Sequence, residues 1–219
     1  MNRVITVKGI GKVSAKPDLI VLSMSLAIKN MDYEKTIEES AVAISQIQKS
    51  IVGIGFEKSD LKTTDYKVKT SYKSVHDLRN NYKDVFDGYE CKHSLKLEFD
   101  FEMKKLAKVF SALAACPANP QFSVAFSVKD KNAVSEDLIV DAAENAKVKA
   151  NILAKASGVT LGQIVNIDYS WGELHMCSDT GFEMRDAVNR LRPGSLMEMD
   201  IEPDDIDVSD TVTFVWEIS

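Results

Sequence analysis

The chain is short of the residues that most often announce chemistry: three cysteines, three histidines and five prolines in 219 residues. Cys91, Cys116 and Cys177 are odd in number and show no Cys-x-x-Cys spacing, which argues against a disulfide framework or a zinc finger. No window approaches the roughly eighteen uncharged apolar residues of a membrane-spanning helix. Positive charge is not in excess either. Lys and Arg number 27 against 33 Asp and Glu, a net charge of −6 that speaks against nucleic acid as the main partner. The opening stretch MNRVITVKG lacks an apolar core and a small-residue cleavage site, so a cytoplasmic location is expected, or export if the chain starts at a mature N-terminus.

What is present reads as a folded α+β protein. Hydrophobic residues make up 45% and charged residues 27%, ordinary values for a globular chain. Charge is distributed unevenly: residues 1–110 carry 19 basic and 15 acidic side chains, residues 111–219 carry 8 and 18. A basic half and an acidic half favour head-to-tail association of copies.

Period-two alternation marks strands. In CKHSLKLEFDF, Cys91, His93, Leu95, Leu97, Phe99 and Phe101 share a face opposite Lys92, Ser94, Lys96, Glu98 and Asp100. DYKVKTSYK sets Tyr66, Val68 and Tyr72 against Lys67, Lys69 and Lys73. The C-terminal run places Ile206, Val208, Val212, Phe214, Trp216 and Ile218 together, and further strands are predicted at about 4–13, 18–29, 121–129 and 162–172. Helices are predicted over 32–54, with Asp32 as N-cap and Ile37, Ala41, Ile44, Gln48 and Ile51 as the apolar stripe, over 102–115 up to Pro117, and over the alanine-rich 132–157 closed by Gly158.

LSMSLAIKN at 22–30 aligns with FSVAFSVKD at 122–130, and each precedes a long helix and then a strand containing Asp-Tyr. The chain therefore reads as one domain, 1–219, of two β-α-β-β halves at about 17–101 and 121–218, joined by the short helix 102–116. The expected architecture is antiparallel sheet with the long helices on one side. Residues 74–87 are predicted to be a hairpin tip. Residues 173–205, with Met176, Met184, Met197 and Met199, are predicted to be a long loop holding a short helix near 182–191, read either as a partly disordered linker or as the candidate contact for a protein partner.

Gly9 and Gly11 invite comparison with a phosphate loop. That motif needs a helix N-terminus directly after the glycines, whereas here KVSAKPD and a second strand follow. The pair instead suggests a bulge or a close backbone crossing between the first two strands.

The segments GIGKVSAKPDLIVLSMSL, TTDYKVKTSY, DGYECKHSLKLEF and DAAENAKVKANILAKASGVTLGQIVNI, in that order, resemble the SIMPL domain family. Gly9, Gly11, Pro17, Asp18, Gly88, Tyr89, Gly158 and Gly162 are the structural positions that carry the likeness, which runs from Val4 to about Ile218. The family includes periplasmic immunogenic and oxidative-stress-related bacterial proteins and an animal protein associated with a Pelle-like kinase. The resemblance implies an α+β domain that often forms large homo-oligomers, with no catalytic residue to carry over. Two features depart from it: no export signal is seen, and the methionine-rich acidic stretch 173–205 is idiosyncratic.

For chemistry, Cys91/His93 and His175/Cys177 are the candidates. Residues i and i+2 of a strand point the same way, so two such pairs brought together would offer a Cys₂His₂ metal site. The simpler reading makes Cys91 a small hydrophobe on an apolar strand face. No nucleophile elbow or Cys/His dyad motif is found. The expectation is a non-enzymatic, self-associating protein with a structural or interaction role and no cofactor. A small-molecule or metal-binding module is the alternative.

Overall fold

The computed structural model describes residues 3–76, 82–169, 172, 174–184 and 202–219. In chain order these form β1 (Val4–Ala15), β2 (Leu19–Asn30), α1 (Tyr33–Val52), β3 (Leu61–His76), β4 (Tyr82–Asp100), α2 (Met103–Ala114), β5 (Gln121–Ser127), α3 (Lys131–Ala156), β6 (Leu161–Asp168), β7 (Cys177–Met184) and β8 (Ile206–Ile218). The strands make two antiparallel sheets, ordered β1-β8-β6 and β3-β4-β2-β5-β7. This is the α+β class that alternation predicts. The chain divides into two compact units, one of Met1–Asp18, Phe126–Thr180 and Pro203–Ser219, the other of Leu19–Ala125 and Gly181–Glu202.

The first unit is organised by the contact of α3 with β1. Every second residue of an edge strand turns its N–H and C=O away from its one neighbour. In the middle of β1 these are Lys8, Ile10 and Lys12, and α3 meets all three. Asp141 Oδ2 accepts from the Lys12 amide at 2.8 Å, Asn145 Oδ1 accepts from the Ile10 amide at 3.1 Å, and Lys149 Nζ donates to the Lys8 carbonyl at 3.3 Å. Four helical residues rise about 6 Å and two strand residues about 6.7 Å, so a stripe at i, i+4, i+8 keeps step with alternate strand residues.

The adjoining stripe, Ala142, Ala146 and Ala150, is fully buried. Gly9 and Gly11 make the approach possible, because a Cβ there would collide with the carbonyl oxygens of Ala142 and Leu138 respectively. The sequence expectation of a bulge or a crossing between the first two strands is corrected on this point. The β1–β8 register runs from Val4↔Glu217 to Ala15↔Ile206 without a shift, and the close approach is to a helix.

Val7, Val212, Phe214 and Trp216 fill the space beside the alanine stripe, with the Phe214 and Trp216 rings stacked at 5.2 Å. A second cluster joins Val128, Val134 and Leu138 to Met176, Ile206 and Val208. Met176 is thus a core residue rather than part of a partner-contact loop, and its carbonyl accepts a 2.6 Å bond from Ser127 Oγ. Asp18 Oδ1 accepts from the Lys129 amide at 2.8 Å, which ties the Pro17-Asp18 turn to the end of β5. Gly158, at φ +70°, closes α3 as expected, with the Val159 amide returning to the Ala154 carbonyl.

In the second unit β2 pairs with β4 from Leu19↔Asp100 to Asn30↔Tyr89. The two strands of the internal repeat, β2 and β5, are neighbours in the five-stranded sheet. β4 lies between β3 and β2, whereas β8 lies between β6 and β1, so the opening strand stands where the repeat alone would put β5. The buried stripe of α1 is Thr36, Ser40, Ala43, Ile47 and Ile51, rotated from the predicted one. Small polar residues can face a core when their bonds are local, as Thr36 Oγ1 shows by donating to the Asp32 carbonyl at 2.7 Å. α2 buries Leu106, Val109, Phe110 and Leu113 as predicted.

Two loop expectations are corrected. Most of 74–87 is strand, since β3 runs to His76 and β4 starts at Tyr82. β7 occupies Cys177–Met184, inside the predicted loop 173–205 and over the start of the helix expected at 182–191; residues 185–201 lie outside those described. CSDTGFEM has little β propensity of its own, and sheet pairing overrides it.

The α3–β1 contact is directly testable. Gly11→Val is expected to cost about 3 kcal/mol or more through overpacking against helix backbone. Asn145→Leu is expected to cost about 0.5–1.5 kcal/mol, the net value of a bond to the exposed Ile10 amide. Both should appear as a lowered urea midpoint, and an unchanged midpoint would contradict the contact.

Candidate functional site

The cysteine–histidine candidates end up in unlike settings. Cys91 is fully buried in β4, and its Sγ donates to Ser40 Oγ at 3.3 Å. His93 is half-buried, with Nε2 2.9 Å from Thr63 Oγ1 and its ring edge-to-face with Tyr66 at 5.0 Å. Its Nδ1 is buried without a hydrogen-bond partner. His175 is exposed and Cys177 half-buried, and both belong to the other unit. Among the described residues no group of three or more His, Cys, Asp or Glu side chains is placed to hold a metal ion. The Cys₂His₂ set is therefore not assembled there.

The lysine face of β3 is not a free cationic strip. Lys67 pairs with Asp65 at 3.1 Å, Lys69 with Glu90 at 3.3 Å and Lys73 with Asp87 at 3.2 Å, and Lys29 also pairs with Asp87. The two ammonium groups beside Asp87 hold its carboxyl below the usual carboxylate range. A surface dent lined by Ser59, Asp60, Lys62, Lys96 and Glu98 contains an internal Lys96–Glu98 ion pair at 2.8 Å and no enclosed apolar wall. The charge asymmetry of the two sequence halves also shrinks on folding. The first unit carries 9 basic and 14 acidic residues, the second 18 and 19.

The surface that stands out is apolar. β2 accompanies β4 only as far as Tyr89, so Tyr82–Gly88 and the end of β3 form a two-stranded ribbon beyond the sheet. Gly88, at φ +99° and against the Asn30 carbonyl, makes a bulge that brings Phe86 and Tyr89 to one face. There Tyr33, Tyr89, Phe86 and Tyr72 form an edge-to-face series at 5.4, 5.4 and 6.0 Å. Tyr72 is 60% exposed, and Tyr33, Tyr82 and Phe86 are exposed with it. The ion-paired lysines occupy the opposite face. In the first unit Val140, Val148 and Ile152 line the outward side of α3, and Ile164, Val165 and Ile167 are exposed on β6. Exposed apolar patches are where contact surfaces are commonly found. Sequence reasoning placed Tyr66 and Tyr72 on one face but missed the ladder, because the Gly88 bulge that aligns Phe86 with Tyr89 breaks the alternation.

An α+β domain with ion-paired polar faces and uncovered apolar ones is the class of protein defined by this geometry. The chain belongs to the SIMPL family, described as "Protein of unknown function (DUF541)", whose model matches residues 5–216. It is similar to the 26 kDa periplasmic immunogenic protein of Brucella melitensis biotype 1 and to that of Brucella abortus strain S19. Each is 25% identical over 163 residues, covering 74% of this chain and 65% of the relative. The chain thus spans just under two thirds of the length of these curated relatives. Their names correct the cytoplasmic expectation: both are periplasmic proteins, and an N-terminal stretch without an apolar core is no evidence of compartment.

His93 gives a pH signature. Burial holds its imidazole below the usual value of 6.5, so the folded state binds this proton less readily than the unfolded chain. Stability should therefore fall as pH drops through 6.5 toward the folded value. Melting temperatures measured from pH 7.5 to pH 5 should decline less steeply in His93→Gln than in the parent. Parallel slopes would contradict this role.

Proposed function

We propose that this protein is a non-catalytic, periplasmic SIMPL domain that assembles with copies of itself and serves a structural or interaction role. The observation that carries the reading is the aromatic face of the β3–β4 ribbon. A two-stranded ribbon alone is marginal in water. This one sets Tyr72 and Phe86 on an uncovered face and ion pairs on the other. Covering such a face with a second copy removes aromatic surface from water at about 25 cal/mol per Å². The periplasmic location follows the relatives' names. The fully buried Cys91 and the ion-paired lysines support a structural part for residues that could otherwise suggest chemistry.

Size-exclusion chromatography with light scattering tests the proposal. A discrete assembly that persists at high salt is expected, because the contact is apolar. The double variant Tyr72→Ser/Phe86→Ser should reduce its mass while leaving the far-UV spectrum unchanged. A parent protein that is monomeric across concentration and salt would overturn the reading.

A further inference from the structure

Four strands end the two sheets, and three of them are guarded. In the middle of β1 the outer amides of Lys12 and Ile10 and the outer carbonyl of Lys8 are taken by Asp141, Asn145 and Lys149. β3 carries exposed Lys62, Lys67, Lys69 and Lys73 along its length, the commonest protection of a sheet edge. β7 carries exposed Asp179 within the strand and is anchored where Ser178 Oγ donates to the Asp204 carbonyl at 2.7 Å and the Asp204 amide donates to Thr180 Oγ1 at 3.1 Å.

β6 is different. From Leu161 to Ile167 it has no charged residue and no proline, and Ile164, Val165 and Ile167 are 52–55% exposed. Among the described residues its one blunting device is a pair of register shifts against β8, on either side of Ile164. These turn Ile164 and Val165 outward without adding charge.

We propose that β6 is the edge at which a second copy of this chain adds, antiparallel and β6 against β6, about a two-fold axis near Ile164. The inference rests on the self-association reading and names its site and symmetry. The strand is self-complementary. Antiparallel pairing centred on Ile164 sets the uncharged run against itself and brings each Asp168 beside Thr160 of the other copy, far from the other Asp168. With α3 lying along the middle of β1, a second strand has no continuous edge to pair with there, so this three-stranded sheet adds a partner at β6. The product is a closed six-stranded sheet, not a filament.

Magnitudes place the contact at the weak end. An eight-residue strand with three aliphatic side chains covers less than the roughly 800 Å² per partner of a standard interface, so the pair should dissociate on dilution. The unit that meets its copy is acidic, with 9 basic and 14 acidic residues. Salt should therefore strengthen the pair by screening repulsion, the reverse of what head-to-tail attraction between oppositely charged halves would give.

The test uses the full chain in four forms: parent, the ribbon variant Tyr72→Ser/Phe86→Ser, the edge variant Ile164→Lys/Ile167→Lys, and the combination. Both edge positions are more than half exposed, so the lysines should be accepted by the fold. The ribbon variant is expected to stop at twice the chain mass and to pair more tightly at high salt, and the combined variant is expected to be monomeric. An edge variant with the parent's mass, beside a combined variant that is still dimeric, would overturn the β6 proposal and leave self-association standing. A parent that is monomeric at every concentration would overturn both and leave the edge to a strand of another protein. As a second measurement, Ile164→Cys in a Cys177→Ser background should give a disulfide-linked dimer on mild oxidation. Failure to cross-link in protein shown to be assembled would also count against the axis.

Discussion

The contact between α3 and β1 is the constraint from which the first unit follows. An edge strand exposes unpaired donors and acceptors, and a helix is an unusual partner for them because its own backbone groups are spent. Here the helix supplies side chains instead, with Asp141, Asn145 and Lys149 repeating in step with Lys12, Ile10 and Lys8. The arrangement works only at backbone-to-backbone range. The glycines at 9 and 11 therefore face the buried alanines at 142 and 146, with no room for a larger residue. Four sets of residues, two on the strand and two on the helix, serve one geometric requirement.

That requirement orders the surface as well. Closing one edge of the small sheet leaves its other edge, β6, as the place where the sheet can grow. In the larger sheet β4 outlasts β2, and the residues beyond that point separate by chemistry. Asp87 and Glu90 neutralise the lysines on one face, while Tyr72, Phe86 and Tyr89 accumulate on the other. Among the described residues Lys67, Lys69 and Lys73 of this sheet are ion-paired and Cys91 is buried against Ser40, while Tyr72 and Phe86 stay exposed. A protein built this way is suited to being covered, and SIMPL family membership with relatives named as periplasmic is compatible with that use.

Much of the fold was legible in the sequence wherever alternation was regular. Cys91, Leu95, Leu97 and Phe99 face inward as read, and so do Leu106, Val109, Phe110 and Leu113. Legibility failed where a local signal was overridden. α1 turns Thr36 and Ser40 inward, which no hydrophobic stripe can announce. β7 has an unpromising sequence and depends on its neighbours. The candidate surface was half visible: the tyrosines and the exposed lysines could be assigned to opposite faces, yet the carboxylates that meet Lys69 and Lys73 needed the cross-strand register. The glycine pair carried its meaning in a segment 130 residues away, in the helix DAAENAKVKA. The matching stripes can be seen there once the partner is known, but nothing local says which strand they serve.

Amide hydrogen exchange, resolved by residue, tests the central claim most directly. If α3 seals β1 and leaves β6 open, the Ile10 and Lys12 amides should be protected to the level of the sheet interior at every protein concentration. The outer-edge amides of β6 should exchange freely in dilute protein and slow as concentration rises. Fast exchange at Ile10 and Lys12 would contradict the sealed edge, and β6 amides that are protected equally at all concentrations would contradict the open one.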